Sequence, residues 1–324
     1  MPNTYITGMA LCAVAAISWG ISFPVMGEAL TLIDPFSFTA MRYSAAALIF
    51  VALLISREGI QALNLRAERF VLAWVLGSAG FCGYGFFIFH GQQLAGKSGA
   101  LSASVMIATT PMLTQLLNWV LRGTRPSGTS FCCIVASFVG VMLVLTKGNP
   151  GALMAQSMTF ESTAYLLLGA VSWALYTLGG SFFPTWSAYR YTAITTLLGL
   201  ITILISNEAL IAFSFTSRPQ IETVISILPH LFYMVLVAGV LAVLCWNMGN
   251  KIINPVNGVL FLDIVPLTAF ITAAVAGTPI GAGQLLGALL VGTSLLMNNL
   301  YQRKRNACFQ RQHRRERTLC QLKD

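Results

Sequence analysis

The stretch from Asn254 to Pro279 reads NPVNGVLFLDIVPLTAFITAAVAGTP, an apolar segment that carries one carboxylate, Asp263, and one internal proline, Pro266. A related stretch, GALSASVMIATTPMLTQLLNWVLRGTRP, runs from Gly99 to Pro126 with Pro111 in the matching place. The two internal prolines lie 155 positions apart. Two copies of one segment at a fixed offset predict an internal repeat.

The same offset recurs at two other places in the chain. A Ser-Trp pair ends at Trp19 near the start of the chain, and another ends at Trp173, 154 positions later. Gly-Thr pairs that end at Thr124 and Thr278 are also 154 positions apart. Because chance matching rarely places three landmarks in one register, we predict that the chain is a duplication.

The composition indicates an integral membrane protein. Of the 324 residues, 56% are hydrophobic and only 9% are charged, whereas soluble proteins carry roughly 25% charged residues. Continuous apolar runs of ~20 residues are long enough to cross a bilayer as helices. We predict an all-α fold with ten such spans, at 8–27, 36–56, 70–89, 98–121, 128–146, 163–183, 188–206, 229–249, 255–276 and 283–300.

The duplication divides the ten predicted spans into two sets of five. Since five is odd, the second set must enter the membrane from the opposite side. Inverted repeats of this kind are common among transporters, whose substrate sites lie near the midplane between the repeats. Gene duplication without a transport role is the alternative. We predict a first repeat, a second repeat and a basic tail, at residues 1–147, 148–300 and 301–324.

The distribution of Lys and Arg predicts the orientation of the chain. Basic residues accumulate in cytoplasmic loops, and with an even number of spans both termini lie on one side. Outside the tail, seven loop Lys and Arg residues fall on the side of the termini and three on the other. We therefore predict cytoplasmic termini in a plasma membrane, such as the bacterial inner membrane. We expect the basic tail to contact anionic lipid rather than nucleic acid.

Several motifs resemble those of the drug/metabolite transporter superfamily, EamA type, over residues 8–300. They are the Ser-Trp of each half, the mid-span Pro111 and Pro266, the run GAGQLLGALLVG at 281–292, and Trp246-Asn247. The resemblance implies a ten-helix basket around a central cavity that moves small metabolites by alternating access, often outward. The family usually has Glu where this chain has Thr124 and Thr278, so no role of those carboxylates is carried over.

Asp263 is the strongest candidate for a proton-coupling residue. A carboxylate in a spanning helix is costly, about 2.5–3.5 kcal/mol on insertion scales, and usually faces a cavity or a partner. Burial favours the protonated form of a carboxyl group, which suits reversible protonation. We expect Asp263 to bind a proton or a cationic substrate group, and a structural ion pair or hydrogen bond is the alternative. Its counterpart in the first repeat is Ala108.

Arg42 is the other deep charge, seven residues into the second predicted span. Three roles are open for it. It could pair with Asp263, bind an anionic group of the substrate, or extend to the outer interface, as long basic side chains readily do.

Aromatic and amide side chains supply the candidate substrate site. Small-molecule sites are usually built from aromatic walls with a few polar groups, although core packing and interface belts also use Trp and Tyr. The candidate substrate-binding residues are Trp19, Tyr84, Trp173, Tyr176, Trp246 and Asn247. The mid-span prolines, Pro111 and Pro266, are candidate hinges.

Other chemistry finds little support in the sequence. Residues 91–98, GQQLAGKS, match the phosphate-binding loop G-x-x-x-x-G-K-S, but that loop needs a soluble strand–helix context, so we interpret the match as chance. The seven cysteines form no CxxC pair or metal-binding pattern. We therefore predict no cofactor, no metal and no catalytic constellation.

Together these patterns predict a secondary active transporter of small metabolites, amino-acid-like or amphipathic, that exports by alternating access in exchange for protons. An uncoupled facilitator is the alternative within transport, and a non-transport membrane protein is the alternative outside it. The sequence names neither the substrate nor an oligomeric state.

Overall fold

The computed structural model describes residues 2–65, 69–96, 99–123, 125, 127–146, 160–275, 282–283, 285–287, 289–294, 296–298 and 300–301. Thr124, Thr278, the predicted junction between the repeats and the basic tail after residue 301 lie outside the described residues. The described part of the chain is helical and contains no strand, as the all-α prediction requires.

The main helices are α1 Pro2–Ala29, α2 Pro35–Glu58, α3 Phe70–Leu94, α4 Gly99–Ile107, α5 Thr110–Arg122, α6 Gly128–Thr146, α7 Phe160–Gly179, α8 Ala188–Ala212, α9 Leu228–Ile253, α10 Pro255–Gly258 and α11 Ile264–Val275. A 3-10 segment, Val259–Asp263, joins the last two. Helical turns also occur between 282 and 301.

Six of these helices are long and apolar enough to cross a membrane: α1, α2, α3, α7, α8 and α9. They correspond to the first three predicted spans of each half. Shorter apolar helical stretches lie at Gly128–Gly140 within α6, at Pro255–Ala269 from α10 into α11, and at Leu285–Asn298. Length and apolarity thus support six of the ten predicted spans, and the other four stay a prediction.

Local sequence explains where the long helices begin. The Asp34 carboxylate accepts hydrogen bonds from the backbone N–H groups of Phe36 and Ser37, at 3.0 and 2.8 Å. Pro35 follows it in the first helical position of α2, where its missing N–H costs nothing. The Ser187 hydroxyl caps α8 in the same way, accepting from the Arg190 N–H at 2.9 Å. Such side-chain caps stabilise a helix by about 1 kcal/mol.

Helix packing repeats between the two halves of the chain. Helix α1 packs against α9 and α11, and its repeat counterpart α7 packs against α3 and α5. Helix α2 packs against its own counterpart α8. Equivalent helices therefore make equivalent contacts, which is the pattern expected when a two-fold axis relates two copies of one unit.

The two stretches that carry the repeat signature are interrupted rather than continuous. In the first, the helix stops at Ala108–Thr109 and restarts at Thr110, which places Pro111 in the first turn of α5. In the second, the 3-10 segment ends at Asp263 and Pro266 falls in the first turn of α11. A proline is tolerated in a first turn because its missing N–H would be unpaired there. The expected continuous spans are thus corrected to broken ones, each broken just before its proline.

Helices α3 and α9, which the repeat relates, each contain a π-helical turn, at Ser78–Gly83 and Leu236–Leu241. Such turns are rare and are frequent at functional sites. In α3 the turn lies where neighbouring helices approach closely. A Cβ atom on Gly80 would lie 2.4 Å from Cγ of Tyr176, and one on Gly77 would lie 2.1 Å from the carbonyl oxygen of Thr195. Only glycine fits at these two positions.

Candidate functional site

Three tryptophans from three helices meet at the centre of the bundle. The ring centroids of Trp19 and Trp173 lie 5.1 Å apart, and those of Trp19 and Trp246 lie 5.2 Å apart, both edge to face. All three side chains are buried. Pairs in this geometry contribute about 0.5–1.5 kcal/mol beyond the area they bury. The two tryptophans that the repeat relates therefore pack against each other.

Tyrosines extend this arrangement on both sides. The Tyr84 and Tyr176 rings lie 5.0 and 5.2 Å from Trp173, and Tyr191 stacks on Tyr176 at 5.3 Å. We call the whole set the central aromatic cluster; its members are Trp19, Tyr84, Trp173, Tyr176, Tyr191 and Trp246. All five aromatic residues proposed from sequence for the substrate site thus lie together, and Tyr191 joins them.

Buried indole N–H groups need acceptors, and the cluster provides them. The Trp19 Nε1 donates to the carbonyl of Ala238 at 2.9 Å, within the π-helical turn of α9. The Trp246 Nε1 donates to the Thr177 hydroxyl at 3.1 Å. These two bonds tie α1 to α9 and α9 to α7, so the rings are held in defined positions.

The Asn247 side chain closes one end of the cluster. Its Nδ2 donates to the hydroxyls of Tyr176 and Thr192, at 2.7 Å each. The Tyr191 hydroxyl donates in turn to the Tyr176 carbonyl at 2.7 Å. Both donor hydrogens of the amide are used, so Asn247 fixes the polar edge of the cluster by direct bonds to α7 and α8.

A cavity of about 450 Å³ opens beside Asn247. It lies where α7 ends, α8 begins and α9 ends, and we call it the Asn247 cavity. Its lining includes Thr177, Phe183, Trp186, Tyr191, Asn247 and Lys251. Lys251 donates a hydrogen bond to the carbonyl of Trp186. A volume of this size is within the usual range for small-molecule sites.

A second pocket of about 450 Å³ lies at the other end of α1 and is lined by Pro24, Glu28, Gln92 and Ala100, among others. We call it the Glu28 pocket. Helices α1 and α9 are antiparallel, since Gly8 contacts Ile253 near the Asn247 cavity. Trp19 lies between Gly8 and Glu28 along α1, so the central aromatic cluster separates the two openings.

Asp263 is 2% exposed and has one hydrogen-bond partner among the described residues. The Ser137 hydroxyl on α6 donates to its Oδ2 at 2.5 Å, while Oδ1 has no partner in the described part of the chain. No ion pair joins Asp263 to Arg42 among those residues. The carboxyl group therefore keeps one unused oxygen in a buried setting at the break before α11.

Arg42 is also 2% exposed, so it does not extend to a membrane interface. Its guanidinium lies over the rings of Tyr43 and Phe89, with centroids 4.8 and 5.8 Å from Cζ. Neither Nε nor Nη1 has a hydrogen-bond partner among the described residues. Of the three roles considered from sequence, pairing with Asp263 and snorkelling are both inconsistent with this position.

Sequence reasoning missed a buried polar stripe on α5. Thr110, Thr114 and Asn118 recur every fourth residue, so they share one face of the helix, and all three are buried. The hydroxyls of Thr110 and Thr114 have no partner among the described residues. Helix α5 packs against the 3-10 segment that ends at Asp263. The i, i+4, i+8 spacing of polar residues in an apolar helix was the signal that could have revealed this stripe.

Sequence reasoning also missed Tyr191, Thr192 and Lys251. Tyr191 and Thr192 lie in the first turns of α8, and Lys251 lies in the last turn of α9. Their proximity to Asn247 depends on how α8 and α9 pack, which local sequence does not reveal. A cluster of hydroxyl residues in an apolar span, YTAITT at 191–196, was the available hint.

The described residues offer no group of three or more His, Cys, Asp or Glu side chains that could hold a metal ion. The first residues of the match to a phosphate-binding loop, Gly91 to Leu94, belong to helix α3. Lys97 and Ser98 of that match lie outside the described residues. A helix in place of the glycine-rich loop agrees with a chance match.

A duplicated helical bundle with interrupted helices, whose centre is aromatic and polar, is the architecture of membrane transporters. The fold and the site therefore define a polytopic membrane protein of the transporter class. The chain belongs to the EamA-like transporter family, which it matches over residues 6–146 and 162–300. The EamA-type resemblance drawn from the sequence is thereby confirmed.

Individual relatives agree with this assignment. The uncharacterized transporter YrdR of Bacillus subtilis is 35% identical over 299 residues, which cover 92% of each chain. The uncharacterized inner membrane transporter YicL of Salmonella typhimurium is 25% identical over 212 residues, 64% of this chain and 67% of the relative. One solved crystal structure has a TM-score of 0.71 at 20% identity, covering 92% of this chain and 98% of its own, which shows a shared fold.

Proposed function

We propose that this protein is a secondary active transporter that exports small metabolites, amino-acid-like or amphipathic, by alternating access in exchange for protons. The proposal starts from membership of a transporter family. The observation that carries the coupling mechanism is Asp263, a buried carboxyl group with one oxygen unused among the described residues.

Alternating access is supported by the duplicated architecture. Equivalent helices make equivalent contacts, so the two halves can exchange roles as one side closes and the other opens. Pro111 and Pro266 follow the two helix interruptions and are the proposed hinges, because a break already removes backbone bonds that bending would otherwise disrupt. In this mechanism ten spans form two inverted repeats, residues 1–147 and 148–300.

Substrate would occupy the space around the central aromatic cluster. We assign binding to Trp19, Tyr84, Trp173, Tyr176, Trp246 and Asn247, which the fold brings into one contiguous group. In the present conformation these side chains pack together and separate the Asn247 cavity from the Glu28 pocket. Transport then requires that they part to admit substrate, so they act both as wall and as gate.

The orientation follows the excess of basic residues on one side. With both termini in the cytoplasm of a bacterial inner membrane, the Asn247 cavity opens to the cytoplasm and the Glu28 pocket opens outward. A cavity that reaches the polar edge of the cluster from the cytoplasm is where an exported substrate would first bind. Anionic lipid at the basic tail would stabilise the same orientation.

Proton exchange would use Asp263. A carboxyl group that protonates on one side of the membrane and deprotonates on the other links proton movement to the change of conformation. The repeat counterpart Ala108 cannot do this, so the duplicated scaffold holds a single ionisable group at this position. The hydroxyls of Thr110 and Thr114 on the adjacent helix, which have no partner in the described part of the chain, are suited to guide water or protons toward it.

An uncoupled facilitator is the second candidate, and the bond from Ser137 to Asp263 favours it. In that case Asp263 would fix α6 against α11 and would not titrate during transport. The architecture, the aromatic site and the family membership would be the same in either case.

Reconstituted full-length protein in liposomes separates these candidates. Flux and substrate-evoked current would be recorded for a panel of amino acids and related metabolites, with and without a pH gradient. We expect wild-type flux to follow the gradient and Asp263→Asn to lose gradient-driven flux while retaining exchange of substrate for substrate. Glu208→Gln is the matched control, because Glu208 is exposed and its ion pair among the described residues is with Arg218.

Two results would count against the coupling mechanism. Asp263→Asn protein that keeps the wild-type pH dependence would remove Asp263 from the coupling step. Gradient-independent flux in both proteins would identify a facilitator and leave Asp263 a structural residue.

A further inference from the structure

Arg42 is a buried cation that has no counter-ion in the described part of the chain. Among the described residues it takes part in no ion pair, and its Nε and Nη1 have no hydrogen-bond partner. Its guanidinium lies over the rings of Tyr43 and Phe89.

None of the seven described carboxylates pairs with Arg42. Five have other partners: Asp34 caps α2, Glu28 contacts His230, Glu58 accepts from Ser187, Glu208 pairs with Arg218 and Asp263 accepts from Ser137. The other two, Glu161 and Glu222, are exposed. Nothing in the described part of the chain neutralises the guanidinium.

A guanidinium group cannot reduce the cost of burying its charge by losing a proton. A buried carboxyl group can neutralise itself, but arginine stays charged in proteins. Buried charges are normally paired, because an isolated one is strongly unfavourable in apolar surroundings. An unpaired arginine at this depth in a transporter therefore indicates a binding partner that arrives from outside the chain.

The surroundings of Arg42 suit a ligand with an apolar part. The rings of Tyr43 and Phe89 cover the guanidinium on the side of α2 and α3. On the side of α9, Gly239 in the π-helical turn lies close to it. A Cβ on Gly239 would lie 3.8 Å from Arg42 Nε and 2.8 Å from the carbonyl oxygen of Met234. Helix α9 therefore places glycine, without a side chain, beside Nε.

The Asn247 cavity, on the other side of the central aromatic cluster, carries charge of the same sign. Lys251 is the only charged residue among the described residues that line it, and the lining contains no carboxylate. A cationic substrate would be repelled there, whereas an anionic group would be attracted. The cavity and the Arg42 region thus select the same class of ligand independently.

We propose that Arg42 binds the carboxylate of the transported substrate, which is an amphipathic organic acid whose apolar part contacts the neighbouring aromatic rings. This inference rests on the proposed transport function and defines its substrate class. Lys251 attracts the carboxylate into the Asn247 cavity, and Arg42 receives it once the cluster opens. Guanidinium groups bind carboxylates through charge-assisted, often bidentate, hydrogen bonds, so Lys at position 42 would be an incomplete replacement.

Binding can be tested on purified full-length protein without knowing the natural substrate. The unfolding temperature in detergent would be measured with sodium acetate, sodium benzoate, benzamide or sodium chloride at equal ionic strength. We expect benzoate to raise the unfolding temperature of wild type by a few degrees, acetate to raise it less, and benzamide and chloride to have no effect. Arg42→Met should abolish the benzoate effect and Arg42→Lys should retain part of it.

The matched control for this experiment is Arg57→Met, which changes an exposed arginine on the same helix and should leave the benzoate effect intact. Three results would overturn the proposal: a wild-type protein that responds to no carboxylate, a benzoate effect that survives Arg42→Met, or equal stabilisation by chloride and benzoate. The last would identify a general anion site.

Transport measurements separate this inference from the proposed function. Each carboxylate in the metabolite panel would be compared with the corresponding amide. We expect wild-type flux of the carboxylate to exceed flux of the amide by about tenfold or more, because only the carboxylate can form a bidentate ion pair with Arg42. Flux that persists with equal preference in Arg42→Met and wild type would refute the inference and leave transport standing. Benzoate binding that depends on Arg42 in a protein without any flux would retain the site and refute the function.

Discussion

The two ends of the central aromatic cluster bury polar groups in opposite ways. At the Asn247 end, the amide donates to two hydroxyls at 2.7 Å each, and those hydroxyls belong to helices α7 and α8. At the other end, Arg42 lies over Phe89, whose ring centroid is 6.3 Å from that of Tyr84 in the cluster. Its Nε and Nη1 have no hydrogen-bond partner, and it joins no ion pair, among the described residues. Both side chains are more than nine-tenths buried.

This difference predicts opposite effects on stability when the two side chains are replaced. A buried polar group whose bonds are all made within the protein contributes to stability, whereas an unpaired one destabilises the fold until a partner arrives. Exposure alone would have classed the two residues together. Their hydrogen bonds distinguish them, and this difference is the basis of the proposal that Arg42 binds the substrate's carboxylate.

The largest expected effect concerns the aromatic wall between the two ends. Trp246→Ala should lower the free energy of unfolding by about 3–5 kcal/mol, because it leaves a large cavity and frees the Thr177 hydroxyl. Chemical unfolding in detergent would measure the change. Trp119→Ala is the control, since Trp119 is 44% exposed on α5 and should change stability far less. Equal losses in both variants would mean that the cluster is not a packed wall.

The next prediction tests the hydrogen bonds that Asn247 makes. Asn247→Ala should lower the free energy of unfolding by about 1–3 kcal/mol, because the buried hydroxyls of Tyr176 and Thr192 lose their shared donor. Gln61→Ala, at an exposed position after α2, should have little effect in the same unfolding assay. An unchanged stability in Asn247→Ala would show that these bonds are not formed in the folded protein.

Replacing Arg42 should change the free energy of unfolding in the opposite direction. Arg42→Met should raise the free energy of unfolding of the ligand-free protein by about 1–3 kcal/mol, because it removes an unpaired buried charge while keeping an unbranched apolar chain. Arg57→Met should stay within about 0.5 kcal/mol of wild type. Destabilisation by Arg42→Met would indicate an internal partner and would erase the contrast between the two ends.

The smallest expected effect comes from removing one tyrosine hydroxyl, either from Tyr176 or from Tyr84. Tyr176→Phe should cost about 1 kcal/mol, because it breaks the bond from Asn247. Tyr84→Phe should change stability by less than about 0.5 kcal/mol, because it keeps the ring contact with Trp173 and removes no bond among the described residues. Equal effects of the two substitutions in thermal unfolding would mean that the two ends are equally satisfied.

Much of the fold was predictable because the relevant signals are local. Apolar runs reveal the long helices α1, α2, α3, α7, α8 and α9, and the capping residues Asp34 and Ser187 reveal where two of them start. The fixed offset between Trp19 and Trp173 reveals the duplication. The helix interruptions near Asp263 and Ala108 were missed, because a proline shows that a break is possible without showing on which side of it the helix stops.

The sequence singled out most aromatic residues of the candidate site, but it did not show what each one contacts. Trp19, Tyr84, Trp173 and Trp246 were identifiable because aromatic and symmetry-related positions stand out in an apolar chain. Arg42 remained open among three roles, since its depth along α2 says nothing about what lies across from it. The bonds of Asn247 were equally hidden, because Thr192 is 55 positions away in the chain.

The sequence by itself determined that this protein is a helical membrane protein built by duplication, because composition, apolar length and internal offset are properties of the chain alone. Only the tertiary structure decided which buried groups find partners. Hydrogen bonds and ion pairs between helices depend on how each helix is rotated and where it packs, and those are set by the whole bundle. The bonded Asn247 and the unpaired Arg42 differ for that reason.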